Sequence, residues 1–192
     1  GLEWNHRREL IFPAGAEFHK FEILNVQLNG MGEDRMLWVE PHRHAVLFPV
    51  QPQHNYTYDQ DANGSYIIRA YDDESPETQA EYLFVHFLLH TPRLPGGDIY
   101  VTCLWDDNFP NPQCLMTYDE SVGYYECSVL LKQGYYNYQF RQLDDNGVGQ
   151  TARTEGDFYQ TENEYMVLVY HRPQGARYDA LVGYSVVHTS NE

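Results

Sequence analysis

A chain of 192 residues can hold one large domain or two small ones. Its formal net charge of −16 at pH 7 argues against binding a nucleic-acid backbone or an anionic membrane surface, because both need clustered Lys and Arg. Hydrophobic residues make up 42% of the chain, which is enough to fill a core and excludes global disorder.

The first 74 residues contain several short segments with strand character and turn signals between them. These segments are 18–26, 35–40, 45–50 and 65–70. We expect the second and third to form a hairpin. Four short strands make about half of a β domain. Residues 1–74 are therefore expected to be part of a preceding β domain or to pack on the next one. The acidic, Pro-containing segment 72–78 is the best boundary candidate.

Residues 81–90 form the clearest predicted strand, and both of its faces are rich in apolar side chains. One face consists of Leu83, Val85, Phe87 and Leu89. The other consists of Tyr82, Phe84, His86, Leu88 and His90. Apolar residues on both faces indicate a central strand that is covered on both sides. We expect the first set to face the core, because a phenol and imidazoles tolerate a partly wet face better.

Period-two alternation continues over residues 98–140, which predict four more strands with their turns. A long polar loop at 144–163 leads to two further strands, 164–170 and 181–188, joined by a turn. Short strands with turns about every ten residues indicate an immunoglobulin-like sandwich, which we place at 75–192. The expected core partners of the first set are Val101, Cys103, Val129, Leu131, Tyr138 and Phe140.

The histidines are the side chains most suited to metal binding or catalysis in this sequence. His42 and His44 would share a strand face at the spacing of metal ligands, but the preferred interpretation is two exposed imidazoles on a hairpin. His86 and His90 are interpreted as semi-buried, hydrogen-bonded residues. No pattern resembles a nucleophile elbow, a phosphate loop or a dinucleotide fingerprint. We therefore expect no enzyme activity, no metal site and no cofactor.

The three cysteines do not form the even, dense set of a secreted disulfide scaffold. Cys103 and Cys127 both fall on predicted core faces, and we interpret them as buried free thiols. A Cys103–Cys127 bridge remains an alternative, because neighbouring or facing strands could bring the two close.

The segment 101–140 contains a strand that leads to a Trp-bearing loop, a short strand, a longer strand, a Gly-Tyr pair and a strand with a Tyr-x-Phe pattern. These are Val101–Trp105, Met116–Tyr118, Tyr125–Leu131, Gly134–Tyr135 and Tyr138–Phe140. In these features the segment resembles the early-set immunoglobulin-like domains of glycogen-branching enzymes and the AMP-activated kinase beta subunit. This resemblance implies that Trp105 and Phe109 could stack on a sugar. The alternative is that Trp105 closes one end of the core.

A second resemblance covers more of the chain. It rests on RELIFPAGAEFHKFEIL, LLKQGYYNYQF, TEGDFYQTENEY and VYHRPQGARYDALVGY. These segments resemble the type IX secretion system plug protein family of Bacteroidetes, once described only as a domain of unknown function. The family is considerably longer, and the chain resembles its C-terminal part. No signal peptide is visible in the sequence, and this says nothing about the compartment.

The second resemblance implies a non-enzymatic plug or protein-binding module. It implies a location in the periplasm or at the outer membrane, with an outer-membrane translocon protein as the partner and no membrane insertion. Phe158 and Tyr159 lie in a loop that matches the family closely, and that loop is expected either to contact a partner or to latch onto the sandwich. The alternative functions are carbohydrate binding through the Trp105 loop and a surface or adhesion module.

Overall fold

A computed structural model of the chain describes residue 8 and residues 11–71, 75–106, 109–144 and 146–189. Two compact units divide the chain: Glu17–Gly156 is one, and Gly1–Ala16 with Asp157–Glu192 is the other. The predicted boundary near 74 does not separate these units, and part of the segment 72–78 lies outside the described residues. Residue 74 is not a boundary between the units because the strands before it pair with strands far along the sequence.

The described residues of the unit Glu17–Gly156 form ten strands. They are β1 (His19–Ile23), β2 (Glu33–Val39), β3 (His42–Leu47), β4 (Tyr66–Ile68), β5 (Tyr82–Leu89), β6 (Ile99–Thr102), β7 (Thr117–Asp119), β8 (Tyr124–Lys132), β9 (Gly134–Leu143) and β10 (Gly149–Thr151). A one-turn helix, α1 (Pro76–Gln79), precedes β5, and a 3-10 turn at Pro112–Cys114 precedes β7.

Strand β9 organises the first sheet, because four other strands pair with it. β1 and β4 both pair antiparallel with its first half, and they must therefore lie on its opposite edges. β6 and β10 pair with its second half in the same way. Residues 1–74 thus supply two strands of this sheet directly.

The second sheet has the strand order β2-β3-β5-β8-β7. β2 and β3 form the predicted antiparallel hairpin. β3 then runs parallel to β5, which pairs antiparallel with β8 over its whole length. The strands of residues 1–74 are thus members of both sheets, and do not form a layer added to a complete domain.

The two sheets pack face to face on one core, and the all-β sandwich predicted from the sequence is confirmed. Phe87 of β5 meets Phe21 of β1 and Tyr138 of β9, with ring centroids 5.6 Å and 5.0 Å apart. Of the predicted core set, Leu131 is only partly buried against the core. Cys103 lies one residue beyond the end of β6 and is half-buried in a turn.

The unit made of residues 1–16 and 157–192 contains one two-stranded sheet. Its strands are β11 (Asn163–His171) and β12 (Ala180–Thr189), which pair antiparallel around the predicted turn. Near the start of β11, Asn163 Nδ2 donates to Ala14 O at 2.8 Å, and the ring of Phe12 lies 5.8 Å from that of Tyr165.

The alternation of β5 side chains between the core and the outer face predicts which substitutions reduce the free energy of unfolding. Phe87 is 1% exposed among aromatic rings, whereas Phe84 points to the other face and is half-buried. Phe87→Ala should reduce the free energy of unfolding by about 3–5 kcal/mol, because it leaves a cavity in a packed core. Phe84→Ala should cost less. Denaturant melts of both variants test this, and a larger loss for Phe84→Ala would contradict the assignment of the two faces.

Candidate functional site

The outer face of the second sheet carries a row of side chains that crosses four strands. Leu37 of β2 pairs with His44, and His44 with Phe84. Phe84 pairs in turn with Leu130 of β8. Side chains alternate between the faces of a sheet, and the adjacent row faces the core. That core row consists of Met36, Ala45, Val85 and Val129. We call Leu37, His44, Phe84 and Leu130 the outer row.

The outer row lies within an apolar surface that reaches across the sheet. Leu37 and Leu130 at its two ends are 41% and 47% exposed. The row beside it adds Val39 and Tyr82, which are 52% and 58% exposed. The expectation that β5 is covered on both sides is wrong for this face, since Tyr82 stands open to solvent. Contiguous exposed apolar surface of this kind is typical of interaction sites.

Three polar side chains on this face are linked by hydrogen-bond contacts, and His44 of the outer row is one of them. His44 Nδ1 lies 2.8 Å from His86 Nε2, and His86 Nδ1 lies 2.8 Å from Glu126 Oε1. The ring of His44 also stacks on Phe84, with centroids 5.1 Å apart. Burial lowers the pKa of His44, and the charges of His86 and His42 lower it further. His44 is therefore neutral at pH 7, and the outer row is uncharged.

The contacts of His86 differ from those of a general base. In a Ser–His–carboxylate arrangement, one imidazole nitrogen contacts the carboxylate and the other faces the hydroxyl. Ser128 lies opposite His86 in the strand register, but the second nitrogen of His86 contacts His44 instead. The chain of contacts orients two imidazoles and does not direct a base at a nucleophile. Among the described residues, no group of three or more His, Cys, Asp or Glu side chains could hold a metal ion.

The histidines make their contact across strands, whereas the sequence pattern groups them along single strands. His44 contacts His86, while His90 is exposed and lies edge-on to the Tyr124 ring, with centroids 6.4 Å apart. The contact depends on the parallel pairing of β3 with β5, whose paired residues are 40 positions apart. Alternation within each strand gives the face of each histidine, but not which strands are neighbours.

Trp105 and Phe109, the residues predicted to bind sugar, are both half-buried and packed on other side chains. The Trp105 ring stacks on Phe87 with centroids 6.1 Å apart, and its Nε1 donates to Asn137 O at 2.9 Å. This placement fits the alternative in which Trp105 closes the core. The Phe109 ring meets the Tyr100 ring edge-on, and the Arg141 guanidinium lies 4.4 Å from its centroid.

Phe158 and Tyr159 belong to the other compact unit, and the contacts of their loop lie within that unit. The Phe158 backbone N–H donates to Gly15 O at 2.8 Å, and Thr161 Oγ1 donates to the same oxygen at 2.9 Å. These bonds hold the loop in place. Tyr159 is 82% exposed and is free to contact a partner surface.

All three cysteines are free thiols. The Cys103 thiol donates to Gly64 O at 3.0 Å, and the Cys127 thiol donates to Gln113 O at 3.3 Å. Burial raises the pKa of Cys103 to about 11 and that of Cys127 to about 12. Both thiols are therefore protonated at neutral pH, where only the thiolate is a good nucleophile.

The chain is similar to a hypothetical protein from Parabacteroides merdae of known crystal structure, with 40% sequence identity and a TM-score of 0.88. The match covers 95% of the present chain and 47% of the Parabacteroides chain, so the chain spans about half the length of this relative. No family model and no curated protein match the sequence.

The lowered pKa of His44 can be tested by NMR titration of the imidazole signals. His44 should titrate below the ordinary histidine value near 6.5. His86→Gln removes one neighbouring positive charge and should raise the pKa of His44, although burial still holds it down. His54→Gln, a change at an exposed histidine, should leave the titration of His44 unaltered. An unchanged or lower His44 pKa in His86→Gln would contradict this account of the site.

Proposed function

We propose that the chain is a non-catalytic protein-binding module of the type IX secretion plug kind, and that it docks its partner on the outer row. The observation that carries the proposal is the outer row itself, four uncharged side chains that cross four strands in a chain with a net charge of −16. Charge of one sign keeps the rest of the surface soluble and disfavours unspecific association. An uncharged, partly aromatic surface is suited to a specific protein contact.

The docking surface is rigid, which favours binding. Each residue of the outer row is on a strand that pairs with its neighbours, and the core row beneath it is packed. The hydrogen bonds between His44, His86 and Glu126 hold the imidazoles in place. A preorganised surface loses little conformational entropy when a partner binds.

The proposed partner is an outer-membrane protein of the type IX translocon, and the proposed location is the periplasm or the periplasmic side of the outer membrane. Both rest on the resemblance to the plug family over four segments of the sequence. The described residues include no helix that is long and apolar enough to cross a membrane. The acidic charge disfavours nucleic acid as a partner.

The contacts of His86 support the non-catalytic part of the proposal. Its two ring nitrogens are engaged by His44 and Glu126, so neither is directed at Ser128. The buried thiols have raised pKa values, which makes them poor nucleophiles.

Carbohydrate binding through the Trp105 loop is the weaker candidate. A sugar-stacking tryptophan presents one face of its ring to solvent, whereas the Trp105 ring stacks on Phe87 and its N–H bonds to Asn137. Titration with soluble glucans and peptidoglycan fragments, followed by tryptophan fluorescence, tests this candidate. Saturable quenching that Trp105→Ala abolishes would favour it over protein binding.

Affinity capture of the full-length protein from its native envelope, followed by mass spectrometry, tests the proposed partner. The wild-type protein should enrich an outer-membrane translocon protein. The double variant Leu37→Lys, Leu130→Lys should lose most of that enrichment, because it buries two charges in an apolar contact. Both residues are exposed, so the free energy of unfolding should change little.

Val148→Lys is the matched control, since Val148 is also apolar and 61% exposed but lies on the connection between β9 and β10. It should capture the partner as well as the wild type does. Equal enrichment by the double variant and the control would rule out the outer row as the docking surface. Absence of any translocon protein from the wild-type capture would count against the proposed partner.

A further inference from the structure

The hairpin of β11 and β12 exposes apolar side chains on both of its faces. Met166, Leu168 and Tyr170 alternate with Val167 and Val169 along β11, and these five residues are between 45% and 59% exposed. On β12, the exposed apolar residues are Leu181, Val182, Tyr184 and Val187. A sheet with one solvated face would have polar side chains on that face. Apolar residues on both faces are typical of strands inside a larger sheet.

The outer edge of β11 is open to pairing. Within the described part of the chain, β11 pairs only with β12. Exposed edges are usually protected by charged side chains, Pro or a bulge. The stretch Met166 to Tyr170 contains none of these, whereas the register of β12 is irregular opposite Val169 and Tyr170. β11 is therefore the better edge for a further strand.

A two-stranded hairpin in water is marginally stable by itself and needs further strands or a packed layer. The Parabacteroides relative indicates where they come from, because the match covers 95% of the present chain but 47% of the relative. That relative therefore has about as much polypeptide again outside the matched part. The remaining polypeptide is long enough for a β domain.

We propose that the edge of β11 pairs with a strand of a further β domain of the same protein, one that corresponds to the unmatched part of the Parabacteroides chain. The incoming strand is extended, uncharged and apolar on both faces, because a charge buried against the apolar side chains of Met166–Tyr170 would have no partner. The hairpin then becomes an interior part of that domain's sheet, with both faces covered. This inference is independent of the translocon and of the outer row.

Hydrogen exchange followed by mass spectrometry compares the 192-residue chain with the full-length Parabacteroides protein. Backbone amides of β11 that face an open edge exchange quickly, and pairing with another strand protects them. We expect fast exchange over Met166–Tyr170 in the 192-residue chain and slow exchange over the aligned segment of the Parabacteroides protein. Fast exchange in both proteins would overturn the proposal.

A substitution in both proteins provides a second measurement. Val167→Lys should leave the melting temperature of the 192-residue chain unchanged, since Val167 is 51% exposed. The same change at the aligned residue should lower the melting temperature of the Parabacteroides protein by several degrees, because a charge becomes buried. Gln174→Lys in the exposed turn is the matched control and should have no effect in either protein.

Besides fast exchange in both proteins, two further results would overturn the proposal. One is that Val167→Lys and the same change at the aligned residue leave the melting temperatures of both proteins unchanged. The other is that the 192-residue chain forms a dimer by analytical ultracentrifugation and Val167→Lys dissociates it. The occupant of the β11 edge would then be a second copy of the chain.

Discussion

The buried amide of Asn137 is the contact on which the first sheet most depends. Asn137 lies in the middle of β9 with none of its surface exposed. Its Oδ1 accepts hydrogen bonds from the backbone N–H groups of Ala62 and Gly64, and its Nδ2 donates to the hydroxyl of Tyr135. A buried amide left without these partners would cost about 1–3 kcal/mol. The loop before β4 must therefore return to β9 for the sheet to form.

The same strand anchors the loop that follows it. Glu155 is 2% exposed, and its Oε1 accepts from the Phe140 backbone N–H while Oε2 lies 2.7 Å from His19 Nε2. Burial alone would lower the pKa of His19, but the charge of Glu155 and the hydrogen bond outweigh it and raise that pKa. The ion pair thus fastens the loop to β1 and β9. With the first sheet fixed in this way, the core face of the second sheet is covered and its outer row stays exposed.

The features that were predicted correctly are those that depend on the residue pattern within one strand or turn. The inward set of β5, the β2–β3 hairpin and the turn between β11 and β12 all follow from local patterns, and all are confirmed. The burial of Asn137 does not follow from any pattern within β9, and the return of the loop around Gly64 explains it. Gly134 begins β9 and lies between β1 and β4. A Cβ there would lie 2.4 Å from Ile67 O.

The candidate site could not be predicted from local patterns either, because its residues come from strands that are far apart in the sequence. The outer row combines residues from β2, β3, β5 and β8, and its parallel step from β3 to β5 joins strands that are far apart in sequence. Period-two alternation assigns a face to each residue but no neighbour across strands. The predicted sites were instead exposed aromatics in loops, and Trp105 is packed against the core.

Site-specific photocrosslinking in cells of the native host tests the central claim most directly, which is that a partner docks on the outer row. A photoreactive amino acid is placed at Leu130 in one full-length protein and at Val148 in another. The account predicts a crosslink from Leu130 to an outer-membrane translocon protein and none from Val148. Crosslinks to that protein from Val148 but not from Leu130 would contradict it.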